Sequence, residues 1–279
     1  MASEPDHVAR LRVYDELQAS ARSGVDPAAV AGVASNYDGI DGSPRAIEYE
    51  HPDAVRLLCT AIAGPEGGDA LRDAAASACR RFVDALPEGY RVYENPPRSY
   101  HSTIFHTGCP PACNFRRKDE DQVDAELATA RALVAATPAL EMEVDRVVLA
   151  SSGVLLVLLA QPGGGPSPTD ELRVRCRDAF RDAPSKQATH VMHVSLCRVI
   201  ALAPENSQEE WTKVMRVVDQ LSDEMRGTRA TLRTVWHVQE SRFATAGDVE
   251  AGCVVTNLPL AADQHELVPT ARAASSRRR

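Results

Sequence analysis

The sequence predicts an α+β protein of two pseudo-symmetric lobes, each an antiparallel sheet with helices on its outer face, around a central cleft. Two similar passages carry this expectation: a strand at 98–107 followed by a helix at 119–136, and a strand at 190–202 followed by a helix at 207–226. Pairs of strands lie between and after these passages, and the short turns that link them imply antiparallel neighbours.

At the N-terminus, Val8, Leu11 and Leu17 in one stretch and Val55, Leu58, Cys59 and Ile62 in another read as helical, with a turn-rich segment from Asn36 to Pro44 between them. A helix follows from about Asp69 to Leu86, where Leu71, Ala75, Ala78 and Phe82 form an apolar stripe and Pro87 stops it. Tyr90 to Glu94, and Arg98 to Thr107 beyond the breaker Pro96-Pro97, read as strands. The 119–136 helix sets Val123, Leu127, Ala130 and Val134 on one face, and its acidic first turn suits the helix dipole. Leu140 to Ala150 and Val154 to Ala160 form a hairpin about Ser151-Ser152-Gly153. After a Gly163 to Pro168 connector, Ser167 caps a helix with Pro168 at its first position, Asp170 in its first turn and Leu172, Cys176, Ala179 and Phe180 buried. Ser207 and Glu210 make a capping box for a helix with Trp211, Val214, Val218, Leu221 and Met225 inward and Gly227 as its stop. Thr231 to Val238 and Gly252 to Thr256 finish as strands. The organisation expected is an N-terminal helical extension at 1–67, a two-lobed domain at 68–260 and a disordered tail at 261–279.

Composition narrows the function. In 279 residues, 44% hydrophobic and 25% charged, a soluble globular body is expected. No apolar run reaches the roughly 18 residues that cross a bilayer. Glu4, Asp6, Asp15 and Glu16 at the start do not fit a secretory or import peptide, so a cytoplasmic or nuclear setting is expected. A formal charge of −8 argues against a broad grip on duplex DNA, while small phosphates and RNA ends stay compatible. The basic spots at Arg116, Arg117 and Lys118 and at Arg277 to Arg279 read as solvated loops. Seven cysteines without a framework rhythm fit a reducing compartment. Cys109 and Cys113 suit a tight loop, with a zinc site that also uses His106 as the competing reading.

The chemistry is concentrated in two short motifs, His101-Ser102-Thr103-Ile104 and His193-Val194-Ser195-Leu196, which share the pattern His, any residue, hydroxyl, aliphatic. Alternation along a strand sends His101 with Thr103, and His193 with Ser195, to one face, and Ile104 and Leu196 to the other. By the same parity His106 and His190 read as structural, and Cys197 shares the side of His193 on the cleft floor. If the two strands meet, two imidazoles and two hydroxyls converge on a phosphate-sized volume. One imidazole takes a proton from the attacking oxygen and the other gives one to the leaving oxygen. Thr103 and Ser195 donate to the non-bridging oxygens. No metal or other cofactor is required. Arg98, Lys186 and Arg198 are candidates to attract phosphate, and Tyr100, Trp236 and Phe243 to stack a base, although core packing is the commoner fate of such aromatics.

These paired motifs resemble those of the two-histidine phosphoesterase superfamily, which includes RNA ligase-like and cyclic nucleotide phosphodiesterases. Ser152-Gly153-Val154-Leu155-Leu156, Lys186-Gln187, His193 to Arg198, and Arg226-Gly227 with Trp236 and Glu240 resemble plant and algal RNA ligase/cyclic nucleotide phosphodiesterase-like proteins. The resemblance covers residues 68–257 and implies a bilobal fold with pseudo-twofold symmetry, a cleft between the lobes, and substrates with 2′,3′-cyclic phosphates or RNA 3′ ends. Serine stands at 195 where threonine is commoner, which keeps the hydroxyl. A nucleotide or RNA-end binding module of the same fold without turnover is the alternative.

Overall fold

A computed structural model describes residues 6–40, 42–49, 55–108, 120–164, 167–183, 191–203 and 207–261. In chain order they form α1 (Asp6–Ser20), α2 (Pro27–Ala34), β1 (Tyr37–Asp38), β2 (Arg45–Ala46), β3 (Val55–Ala61), α3 (Gly68–Ala85), β4 (Arg91–Glu94), β5 (His101–Gly108), α4 (Glu120–Ala135), β6 (Leu140–Leu149), β7 (Val154–Ala160), α5 (Pro168–Ala179), β8 (His193–Ala201), α6 (Gln208–Met225), β9 (Arg229–Leu232), β10 (Thr234–Glu240) and β11 (Val254–Pro259). No helix among them is long and apolar enough to cross a membrane.

Among the described residues, nine strands make one antiparallel sheet in the order β11-β10-β3-β5-β8-β7-β6-β9, with β4 lying against the far half of β8. The order divides into two sets of four that meet at β5 and β8. Helices α4 and α5 contact the β5 half, while α3 and α6 contact the β8 half. One large apolar core lies between sheet and helices, with Leu71, Phe82, Ile104, Leu172, Leu196, Trp211 and Val218 among its buried members. The expected caps are in place: Ser207 and Glu210 form the reciprocal capping box of α6, and Ser167 accepts from the Thr169 amide ahead of Pro168.

The segment at 55–62 departs from its expected helix. It is β3, inserted between β10 and β5, and all seven of its residues are buried. A strand buried on both faces carries apolar residues on both, so Val55, Leu58, Cys59 and Ile62 also satisfy a helical spacing. The boundary expected at residue 67 therefore does not part the sheet. On α1, Val8 and Leu11 are exposed, and the buried positions are Ala9, Arg10 and Tyr14.

The N-terminal segment is tied to the strands of the second half. Tyr14 Oη donates to the Leu159 carbonyl at 2.6 Å and accepts from the Met192 amide at 3.0 Å, with the Met192 carbonyl at 2.9 Å. Burial raises its pKa to about 12, so the hydroxyl stays protonated as a donor. Asp26 N–H donates to the Ser151 carbonyl, and Trp211 Nε1–H donates to the Ala21 carbonyl. Replacing Tyr14 by Phe leaves the buried Met192 amide without this acceptor; a loss of about 1–3 kcal/mol is expected, read from urea unfolding midpoints.

Candidate active site

The two motifs meet at a single ladder pair, Ser102 opposite Val194. One step along each antiparallel strand puts His101 opposite Ser195, and one step the other way puts Thr103 opposite His193. Each imidazole therefore stands across from the other motif's hydroxyl. His101 and His193 are diagonal neighbours, with backbone positions roughly 7–8 Å apart. All four side chains are half-buried, whereas Ser102, Ile104, Val194 and Leu196 between and beyond them are buried.

Beyond the hydroxyl, both strands break their alternation at the same place. On β3, Cys59 and Leu58 pair with Thr103 and Phe105, so Ile104 is an extra residue. On β7, Leu156 and Leu155 pair with Ser195 and Cys197, so Leu196 is the extra one. These are β-bulges. Ile104 and Phe105, and likewise Leu196 and Cys197, turn consecutively into the main core. The fifth residue after each motif histidine then returns to the cleft face: His106 lies opposite Leu57, and Arg198 opposite Val154. Simple parity puts His106 on the wrong face and Cys197 on the cleft floor; the bulges reverse both assignments.

Each bulge is held by one residue reaching in from outside the pair. Arg173 of α5 donates from Nη2 to the Thr103 carbonyl at 2.9 Å and from Nε to the Ile104 carbonyl at 3.1 Å. Its Nη2 also reaches the Val191 carbonyl at 2.9 Å, which ties β5 to the start of β8. In the second motif, Asn95 donates from Nδ2 to the Ser195 carbonyl at 2.8 Å and from its backbone amide to the Leu196 carbonyl at 2.9 Å. Neither Arg173 nor Asn95 lies in a motif, so neither stands out in the sequence.

The two histidines differ in their surroundings. His101 Nδ1 sits 2.7 Å from the Ser99 carbonyl. A carbonyl only accepts, so Nδ1 carries the proton and Nε2 is the nitrogen left to exchange one. Burial holds the His101 pKa below the ordinary value; the Ser99 bond opposes that shift, and the charges of Arg198 and His106 add to it. The counterpart of the Ser99 carbonyl before His193 is that of Val191, which is taken by Arg173. Burial lowers the His193 pKa to about 4, with the charges of His101, Arg198 and Arg173 reinforcing it.

Arg198, at the His101 end, has a buried Nη1 with no hydrogen-bond partner among the described residues, and its guanidinium carbon is 6.0 Å from the Phe243 ring centre. Phe243 and Tyr93 join Tyr37 in an aromatic cluster, with centroids 5.8 and 4.7 Å from that of Tyr37. Trp236 is half-buried on the cleft face; it pairs with Cys59, which pairs in turn with Thr103. Two expected contacts move elsewhere. Tyr100 is buried in the main core on the helix side, because it is the residue next to His101 and points the other way. Arg98 is exposed and paired with Asp248 and Glu250, a surface clasp on the 248–250 turn rather than a phosphate ligand. Lys186, His190, Cys109 and Cys113 lie outside the described residues. Among the described residues, no group of three His, Cys, Asp or Glu side chains is gathered to hold a metal ion.

The fold and the site together define an α+β protein whose central cleft presents paired histidines and hydroxyls. No family model and no curated protein matches the chain. Among solved structures, TT0787 of Thermus thermophilus is 13% identical, with 75% of this chain and 99% of that one covered and a TM-score of 0.50. Kluyveromyces marxianus Usb1 with uridine monophosphate is 11% identical, covers 75% and 100%, and gives 0.45. E. coli LigT complexed with NADP+ is 11% identical, covers 75% and 99%, and also gives 0.45. The likeness to TT0787 shows a shared fold. A sheet of two halves is what the resemblance to the two-histidine phosphoesterase superfamily implied, and the pairing of the two motif strands at its middle is the condition the motifs themselves set.

Asn95→Ala should leave the Ser195 carbonyl without its buried donor. A loss of about 1–3 kcal/mol is expected in urea unfolding, with faster amide exchange along Ser195 to Cys197.

Proposed function

We propose that the protein is a metal-independent phosphodiesterase that opens 2′,3′-cyclic phosphates on nucleotides or RNA ends. The observation that supports this reading is the ladder pair Ser102–Val194, because it makes both imidazoles and both hydroxyls neighbours on one face of the sheet. His193, held neutral, is the base that takes the proton of the attacking water. His101 is the acid: the Ser99 carbonyl holds Nδ1–H and favours a second proton on Nε2, which goes to the departing ribose oxygen. The P–O bond to water forms as the bond to the ribose oxygen breaks, leaving a phosphomonoester, a neutral His101 and a protonated His193 that solvent resets. Thr103 and Ser195 donate to the non-bridging oxygens, and the unpartnered Nη1 of Arg198 suits their negative charge.

A product-resolved assay over the four nucleoside 2′,3′-cyclic phosphates and short cyclic-phosphate-ended RNAs, run with chelator present, tests this. His101→Ala and His193→Ala should each lose about 10²-fold or more in kcat/KM. Unchanged turnover in either variant sinks the reading.

The pH dependence has a definite sign. The productive form of the free enzyme has His193 neutral and His101 protonated, so kcat/KM falls below about pH 4, where the base takes up a proton. It falls again as pH rises through the His101 value, which burial keeps under the ordinary 6.5. A maximum on the acid side of 6.5 is expected; a profile still rising at about pH 8 contradicts this assignment of acid and base.

A further inference from the structure

Arg198 and His106 occupy equivalent places, each five residues after a motif histidine and each returned to the cleft face by a bulge. They stand at opposite ends of the row, Arg198 beyond His101 and Ser195, His106 beyond Thr103 and His193. The proposed chemistry employs Arg198 and leaves His106 idle. Yet His106 Nδ1, like Arg198 Nη1, is buried with no hydrogen-bond partner among the described residues. A buried polar atom without a partner is uncommon enough to need a cause, and a ligand atom absent from the free protein is one such cause.

The surroundings of His106 say which part of a substrate it meets. Its cross-strand neighbour is Leu57, with Val238 beyond it, and one step toward Thr103 on the same face are Cys59 and Trp236; Leu57, Cys59 and Val238 are packed with Ala246 and Cys253. Leu57 and Cys59 are buried, whereas Trp236 is half-buried, two strand spacings or about 10 Å from Thr103. Gly247 fixes that indole: a Cβ there would come within 2.5 Å of its ring. This end of the cleft therefore presents the half-buried indole of Trp236 and one imidazole that burial keeps neutral. The other end offers a permanent cation. An uncharged, flat group with polar atoms on its edge matches the first, and a phosphate matches the second.

We propose that His106 is a specificity-determining residue: through Nδ1 it contacts the nucleobase of the substrate, which lies toward Trp236, at the end of the cleft opposite Arg198. The proposal rests on the phosphodiesterase reading of the same site and adds the direction in which the substrate lies.

The test compares wild type, His106→Phe and His106→Asn on the four nucleoside 2′,3′-cyclic phosphates and on methyl riboside 2′,3′-cyclic phosphate, which has no base. Phe keeps a ring and removes the nitrogens, while Asn restores a polar atom near the place of Nδ1. His106→Phe should lose about tenfold or more in kcat/KM on the nucleosides, chiefly through KM, and flatten the ranking of the four bases. Activity on the methyl riboside should hold, which also reports that the variant folds, and His106→Asn should recover much of the loss. Equal loss on both substrate types, or no loss on either, overturns the proposal. If wild type is inert on every substrate, the hydrolase reading fails separately, and titration with nucleoside 2′-monophosphates decides the inference. A weaker Kd in His106→Phe then supports it, and an unchanged Kd overturns it.

Discussion

Everything at the cleft depends on four backbone carbonyls, those of Thr103 and Ile104 on one motif strand and of Ser195 and Leu196 on the other. A bulge takes such groups out of the ladder, and a buried carbonyl without a donor is costly. Arg173 supplies donors to the first pair, and Asn95 to the second. Arg173 is itself held, since Asp170 stands near it and accepts from the buried Arg10 of α1 at 2.6 Å. The N-terminal helix thus reaches the motif strand of the first half through two side chains. With these donors in place the bulges hold, and His106 and Arg198 face the cleft.

The same arginine breaks the symmetry that the bulges create. In the first motif, the carbonyl two residues before the histidine is available to the imidazole and favours its protonated state. In the second, Arg173 has taken that carbonyl and adds a positive charge nearby. Two nearly identical sequence motifs thus have different surroundings: burial lowers the proton affinity of both histidines, with His101, Arg198 and lastly Arg173 adding to it at His193, and a carbonyl opposes it at His101. Two equal halves would titrate alike; here the carbonyl that faces His101 is, at His193, taken by Arg173.

Period-two reasoning places His101, Thr103, His193 and Ser195 correctly because all four precede the bulges. It fails for His106 and Cys197 because an inserted residue shifts parity without leaving a mark on composition. The strand at 55–61 is hidden by complete burial. On α4 the expected stripe of Val123, Leu127, Ala130 and Val134 overlooks Glu126, a carboxylate buried against Arg56, His237 and Thr107. Polar side chains buried in a network have no periodic signature, because only their partners from distant strands make them tolerable there. The capping box of α6 is legible, since its partners are three residues apart.

The charge of the whole chain, −8, is no obstacle to a phosphate in the cleft, because the groups that face it are chosen locally. Glu240 lies on the cleft face of β10, near enough to Arg198 to feel its charge. Its carboxyl accepts from the Ala246 amide at 2.7 Å and the Tyr49 hydroxyl at 3.2 Å, and burial raises its pKa to about 7. A carboxylate so occupied, and partly protonated at neutral pH, does not cancel the guanidinium beside it. Arg198 Nη1 accordingly has no partner among the described residues, while Arg98, outside the cleft, is spent on Asp248 and Glu250. What separates these two arginines is where the nearby carboxylates have already been committed: Glu240 to Tyr49 and the Ala246 amide, Asp248 and Glu250 to Arg98.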